Sequence, residues 1–439
     1  MQNLAGISAI LKKQYLGLLR DVLQRIAWTW AWTKKGSLTW SGADVNWPVR
    51  MRGTNAMSWG VGGTALNSAQ SQTTVSSVIG LKQGWLPIQF TYDAQLASRD
   101  SKGAFITTMT LEMDNGIKDF IDMMERLIWG DGTGKLGEVQ SFSTVTVTTS
   151  AMTDALGIGV NGNASNRNVK QGMILDFYTS AGASRMTGAV VTSVDVDADT
   201  FVITPGVGSN PTGGDGFYLA RPDLSTPVDQ EPMGIPGIID DGTLVTSLQT
   251  ISRTTYPQWA SQLITAGTFA SPGNLSSDLV QRGIDKARMG SPGGDVQLWM
   301  APSVKREFIK LGQVDVRFTP HQLLLGINEN QNSDDTRPKN SMSFNGYKIC
   351  WAPDTPWNTI FGMPEGLVRQ YPVLDGPSWV PNNPGSGAGG GILQRLTGVG
   401  GTYEAQLSWM GNIGTDLRGP NSGFVIRNVN STIDRVAND

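Results

Sequence analysis

Apolar residues at Leu4, Ile7, Leu11, Tyr15, Leu18, Val22 and Ile26 recur in steps of three and four, which places all seven on one face of a helix. A stripe of this kind needs a partner surface, either the chain's own domain or another subunit. A membrane-surface helix is a third option, weakened by Gly6 and Gly17. From 28 to 92 the period shortens to two. Runs such as Leu38-Thr39-Trp40, Val45-Asn46-Trp47-Pro48-Val49 and Pro87-Ile88-Gln89-Phe90-Thr91-Tyr92 predict strands. Between them, 53–84 is rich in Gly, Ser, Thr, Asn and Gln and poor in large apolar residues. That composition suits a long hairpin projecting from the body better than a core of its own.

The period returns to 3.6 over 103–129, with Ile106, Met109, Met113, Ile117, Phe120, Met124 and Leu127 or Ile128 on one face and no proline. A helix of that span would be about 40 Å long. Asp100 or Ser101 is placed to cap its start and Gly130 to end it. Residues 139–221 then alternate again, in Val145-Thr146-Val147-Thr148, in 190–196 and in Thr200-Phe201-Val202-Ile203-Thr204, and predict a small β-barrel or sandwich. Helices follow at 277–289 and 302–311, and strands at 347–351, 359–362, 403–409 and 424–429. No fixed repeat is present. The order of elements is α+β, with the 139–221 module interrupting a longer architecture.

Composition narrows the function classes. The chain has 439 residues, enough for roughly three average domains. Glycine takes 54 positions and charged residues only 16 %, against a usual ~25 %, so much of the surface is uncharged. With 34 Lys and Arg against 37 Asp and Glu the net charge is −3, and no global basic field attracts nucleic acid or an anionic membrane. One cysteine, Cys350, and one histidine, His321, exclude an internal disulfide and a His-rich metal cluster. The first apolar stretch is broken by Lys12, Lys13, Arg20, Asp21 and Arg25, so it reads as neither a spanning helix nor a signal segment. The expectation is a protein made in the cytoplasm, off the membrane.

Candidate chemistry is thin. Asp195, Asp197 and Asp199 have the first spacings of a calcium loop, but Thr200 stands where glycine is needed and Gly206 where glutamate is needed. Their alternation with Val194, Val196 and Ala198 predicts a hairpin turn instead. Gly130-Asp131-Gly132-Thr133-Gly134-Lys135 resembles a phosphate loop superficially; Leu136 replaces the required Ser or Thr, and the run leaves a helix rather than entering one. His321 sits before an apolar run and Cys350 between Ile349 and Trp351, settings that favour structural roles. No nucleophile signature is present. No catalytic residue, cofactor or metal ligand is therefore assigned. The 14 tryptophans fit core and interface anchoring, with sugar-stacking platforms as the alternative.

An amphipathic arm, a projecting hairpin, a long helix ending in Gly130-Asp131-Gly132-Thr133-Gly134, then β-structure and a mixed domain: in this order the chain resembles the major capsid proteins of tailed double-stranded-DNA bacteriophages. Leu96-Ala97-Ser98-Arg99-Asp100 before the helix and Phe344-Asn345-Gly346-Tyr347-Lys348-Ile349 late in the chain belong to the same likeness. The resemblance implies an N-arm at 1–28, an E-loop with flanking strands at 29–100 and a spine helix at 101–130. It further implies an insertion domain at 139–221, a P-domain segment and A-domain at 222–402, and strands returning to the P-domain at 403–439. The implied role is that of a virion structural subunit, not an enzyme. Such a subunit assembles in the host cytoplasm into hexamers and pentamers of an icosahedral head around double-stranded DNA, which it contacts without sequence readout. Implied partners are other copies of the chain and separate scaffolding, portal and decoration proteins. The alternative is a β-rich surface or carbohydrate-binding protein using tryptophan platforms; a carboxylate-dependent hydrolase comes third.

Overall fold

The computed structural model describes residues 28–38, 40, 42–54, 56–61, 65, 67–93, 108–150, 165–220, 231–268, 271–290, 296–316, 342–373, 377–381, 393–395, 401–415 and 419–431. The N-terminal stripe from Leu4 to Ile26, the Leu96-Ala97-Ser98-Arg99-Asp100 run, the Asp100 or Ser101 cap and His321 lie outside these residues.

The described chain begins with a short helix, α1 (Trp28–Trp32), and a two-residue strand, Lys34–Lys35, that pairs parallel with Arg369 and Gln370, before strand β1 (Asp44–Arg52), which pairs antiparallel with β2 (Thr73–Gly80). At the expected strand 38–40 the described residues, Leu38 and Trp40, lie in no strand; they pack against the cluster of Val45, Trp47, Ile79 and Tyr371, and the Trp40 indole donates to the Tyr371 carbonyl at 3.2 Å. β3 (Lys82–Thr91) and the long helix α2 (Thr108–Ile128) follow. With 21 described residues α2 spans about 30 Å, and its end lies where the sequence puts it, the Gly130 N–H bonding the Leu127 carbonyl at 3.0 Å.

Lys135–Leu219 form a closed antiparallel barrel with its own core. Its strands are β4 (Lys135–Ser143), β5 (Thr146–Thr149), β6 (Ile174–Tyr178), β7 (Ser184–Asp195), β8 (Thr200–Thr204), β9 (Val207–Gly208) and β10 (Gly216–Leu219). Pairing runs β7-β6-β10-β4-β5-β8 and closes through β8 on β7, with β9 attached to the edge of β7. Closure removes the open edges that a sheet of this size would otherwise expose. Leu136, Val147, Leu175, Phe177, Phe201 and Phe217 fill the interior. The first strand starts at Lys135, ahead of the expected 139, so entry and exit are adjacent: Lys135 lies opposite Tyr218. The Asp195 turn is a hairpin, its Oδ1 accepting the N–H groups of Asp197 and Ala198 at 3.1 and 2.9 Å.

Beyond the barrel come β11 (Gln262–Thr265), α3 (Ser277–Gly290), β12 (Val296–Met300), α4 (Pro302–Val316), β13 (Met342–Phe344), β14 (Tyr347–Trp351), β15 (Ile360–Pro364), β16 (Thr402–Thr415) and β17 (Phe424–Arg427), besides a strand at Val368–Pro372, a helical turn at Ile235–Ile238 and shorter pieces. A six-stranded mixed sheet runs β11-β17-β15-β12-β14-β13. α3 buries Leu279, Val280, Ile284 and Ala287, and α4 buries Val304 and Phe308, in the core of this sheet. The β13–β14 turn is Asn345-Gly346, at φ 48 and 85, the left-handed pair that a two-residue hairpin requires. Gly283 and Gly362 face opposite sides of the Phe424 ring, where a Cβ would collide with it. β16 runs to Thr415, well past the expected Trp409, because it pairs with β3 over ten positions, Thr402 with Thr91 through to Gly411 with Lys82.

Two compact units emerge. One contains Leu81–Glu125, Pro372–Asn412 and the segment ending at Trp30; the other contains Ala31–Gly80, Arg126–Tyr371 and Ile413–Asp439. In the first, the Gly116, Phe120 and Met124 face of α2 lies on β3, where Gly116 meets the side chains of Ile88 and Leu86 and leaves no room for a Cβ. The second holds the β1–β2 hairpin, the barrel and the six-stranded sheet. No helix among the described residues is long and apolar enough to cross a membrane.

Candidate assembly surface

The β1–β2 hairpin has a fixed root and a bare tip. Alternation along β1 turns Val45, Trp47 and Met51 inward and Asn46, Pro48, Arg50 and Arg52 outward. At the root, the Val78 N–H donates to the Gln249 carbonyl at 3.1 Å and Ser77 Oγ to Gln249 Oε1 at 2.9 Å. The Gln249 amide in turn donates to the Thr415 carbonyl at 3.1 Å, and Gln258 Nε2 to the Met51 carbonyl at 2.8 Å. Gln249 and Thr250 both sit at positive φ, 52 and 67, a strained backbone for residues with side chains. The strain presents the Gln249 carbonyl and side chain to β2.

Past Arg52 the regular pairing ends, and residues 53–72 contain no charged side chain. Met57, Trp59 and Val61 are 74, 89 and 83 % exposed. Three large, exposed apolar side chains at alternating positions are the kind of patch that marks a contact surface. From 45 to 92 the chain carries Arg50, Arg52 and Lys82 and no carboxylate.

The segment 234–262, which supplies Gln249 and Gln258, is held by buried charges. Asp240 is fully buried; its Oδ2 accepts the N–H groups of Gly242, Leu244 and Val245 at 2.9, 2.9 and 3.1 Å and lies 3.4 Å from Arg253 Nη1. Its Oδ1 accepts Arg427 Nη2 at 2.9 Å. Arg253 donates onward to the carbonyls of Gly237, Ile238, Val245 and Trp259. Burial lowers the Arg253 pKa to about 10, against the pull of Asp240 and Asp241 in the other direction, so the guanidinium stays charged at neutral pH. Asp241 is half-buried; that burial is outweighed by hydrogen bonds from Thr243 and by the Arg427 charge, and its carboxyl stays below the usual carboxylate range. This hub was not visible in the sequence. The Asp240-Asp241-Gly242 run, which reads as an ordinary turn, is its only local signal.

Beside α1, the buried carboxylate of Glu125 accepts the N–H groups of Thr29 and Trp30 at 3.0 and 2.8 Å, and the Trp30 ring meets Trp409 edge-on at 5.5 Å. The phosphate-loop lookalike is a self-closed turn. Asp131 Oδ1 accepts Thr133 N–H and Oγ1 at 3.0 and 2.6 Å, and Lys135 pairs with Glu138 at 2.9 Å. Burial raises the Asp131 carboxyl above its ordinary value despite the Thr133 hydrogen bonds, with the neighbouring Glu231 adding to the rise. Glu231 itself pairs with Arg126 at 2.6 Å. Cys350 is a buried core residue with Sγ 3.9 Å from Gln297 Oε1. Trp47, Trp129, Trp259, Trp299 and Trp409 are buried, while Trp59 and Trp85 are exposed. Among the described residues no group of three His, Cys, Asp or Glu is placed to hold a metal ion.

No protein-family model matches the sequence, and no curated protein does. Among solved structures the chain is similar to one in the capsid asymmetric unit of cyanophage A-1(L), with a TM-score of 0.52 and 9 % identity over 96 % of this chain and 98 % of that one. The capsid of a native GTA particle matches over 97 % and 98 % of the two chains at 9 % identity and a TM-score of 0.46. A chain of Microbacterium phage Oxtober96 matches over the same shares at 9 % identity and 0.45. At 9 % identity what this chain has in common with the cyanophage chain is the course of its backbone from end to end, and the fold of the chain is that of a phage capsid protein.

Proposed function

We propose that this chain is a structural, non-catalytic subunit of a phage head. Copies associate into hexamers and pentamers of an icosahedral shell that encloses double-stranded DNA without reading its sequence. The observation that carries this reading is the β1–β2 hairpin, fixed at its root by Gln249 and Gln258 while Met57, Trp59 and Val61 stand bare at its tip. An isolated protein gains nothing from that arrangement; a lattice of copies buries the tip against a neighbour. The fold shared with the cyanophage capsid chain supports it.

In this reading the Leu4, Ile7, Leu11, Tyr15, Leu18, Val22 and Ile26 stripe is a second contact, launched from the Glu125 anchor. The Lys135–Leu219 barrel is a domain inserted between α2 and the rest of the chain, consistent with its adjacent entry and exit. Separate scaffolding, portal and decoration proteins are the expected partners, and the virion, assembled in the host cytoplasm, is the expected location. The tryptophan-platform alternative is weakened by the burial of five tryptophans in cores.

Sedimentation and negative-stain microscopy of the expressed chain test the proposal. Capsomers or shells are expected, and Trp59→Ser should abolish them without moving the melting temperature. A wild-type chain that stays monomeric with and without a co-expressed scaffold, and binds glycans, would favour the alternative.

A further inference from the structure

A barrel joined to its host only through neighbouring strands at one end would swing about that end. Here the barrel has a third attachment. Arg167 lies in a 3-10 turn (Ser165–Asn168) between β5 and β6, and it is 8 % exposed. Its guanidinium leaves the barrel and enters the loop that follows β14. There Nη2 donates to the Asp354 carbonyl at 2.6 Å and Nη1 to the Thr355 carbonyl at 3.3 Å, while the guanidinium carbon stands 4.9 Å from the centre of the Trp357 ring.

The receiving loop is buried and hydrogen-bonded. Ala352, Thr355 and Thr359 are fully buried. Asn358, at φ 56, accepts the Val429 N–H on its carbonyl at 3.0 Å and Ser431 Oγ on its side chain at 2.5 Å. The donor side is equally fixed, since the neighbouring Asn166 donates to the Asp195 carbonyl at 2.9 Å and thereby ties the turn to the β7–β8 hairpin. A planar fork that meets two successive carbonyls and stacks on an indole is a contact only arginine makes; a lysine ammonium offers neither the second parallel donor nor the flat face.

We infer that Arg167 is a clamp that sets the attitude of the barrel on the six-stranded-sheet domain, so that the two move as one body. The barrel core of Leu136, Val147, Leu175, Phe177, Phe201 and Phe217 contains none of the clamp atoms, so the clamp positions the barrel and is not required to fold it. This inference is independent of whether the chain builds a shell.

The test places spin labels at Val207→Cys on the barrel and Met289→Cys on α3, both well exposed at 81 and 78 %, in a Cys350→Ser background of the full chain. A single narrow distance distribution is expected with Arg167 in place. Arg167→Ala should replace it with a broad one while the melting profile keeps its barrel transition, and Arg167→Lys should broaden it as well, because charge alone does not rebuild the fork. An unchanged narrow distribution in either variant overturns the clamp. So does loss of the barrel transition in both, which would make Arg167 a folding residue of the barrel.

Discussion

Replacing Asp240 by asparagine removes one charge and almost no volume, which makes it a clean probe of the buried hub. The carboxylate serves three backbone N–H groups and Arg253 on one oxygen and Arg427 on the other. An amide has one acceptor. Turned to keep the backbone bonds, it points its NH2 at the Arg427 guanidinium; turned the other way, it faces three N–H donors with two of its own. In either pose Arg253, fully buried, loses its nearest counter-charge. Breaking a buried pair by removing one partner costs about 3–5 kcal/mol, against a total stability of roughly 5–15 kcal/mol. For a domain of this size, that corresponds to a melting temperature lower by about 10 °C.

An apolar swap of both partners, often harmless for buried pairs, is no remedy here: it would orphan three N–H groups and the four carbonyls that Arg253 serves. Calorimetry of the free subunit is the assay, with Asp241→Asn as control. Asp241 is half-buried and its loss should cost less than about 1 kcal/mol. If Asp240→Asn melted within about 2 °C of the parent, the hub would be a passenger and the reasoning wrong.

Leu11→Asp with Leu18→Asp should leave the subunit folded by circular dichroism but collapse particle yield, since a carboxylate buried unpaired at a contact costs several kcal/mol; normal yield would remove the stripe from assembly, and failure to fold would assign it to the core. Asp131 has a raised pKa, so its ionised form opposes folding above that pKa and the penalty vanishes as pH falls below the unfolded value of 3.8. Asp131→Asn, which can still accept from Thr133, should therefore melt no lower than the parent at pH 7 and lose any advantage near pH 3.5; an equal deficit at both pH values would refute this. Residues 133–220 expressed alone should unfold in one cooperative transition by near-ultraviolet circular dichroism, and a fragment without one would show that the barrel depends on its host.

Periodic burial is what the sequence displays, and the elements that follow from it are the legible ones. The helix at 277–289 is there to within a residue, ending at Gly290, because its stripe of Leu279, Val280, Ile284 and Ala287 is unbroken. The Asn345-Gly346 turn is legible because only a left-handed pair closes a two-residue hairpin. The alternation of β1 could be read, but the exposed trio of Met57, Trp59 and Val61 could not, because 53–84 as a whole is poor in large apolar residues and its second half, from Thr73, forms β2 and the start of β3. The hub could not: Asp240 lies 13 residues from Arg253 and 187 from Arg427, and no local pattern links positions so far apart. The same holds for Glu125, which follows the helical period but spends its carboxylate on backbone N–H groups 96 and 95 residues earlier. Gln249 and Thr250 give no signal, because non-glycine residues occupy a backbone normally left to glycine. Arg167 sat in a stretch read only as β-strands and turns.

The uncharged tip at 53–72 has a thermodynamic consequence. A contact made by Met57, Trp59 and Val61 draws its free energy from the release of ordered water, so near room temperature it is entropic and carries a negative heat-capacity change. Raising the salt concentration does little to screen it, whereas a contact between opposite charges would fade over a Debye length of about 8–10 Å. Cooling weakens it. A lattice knit through such tips would loosen in the cold and tighten on warming, the reverse of what ion pairing or hydrogen bonding alone would give.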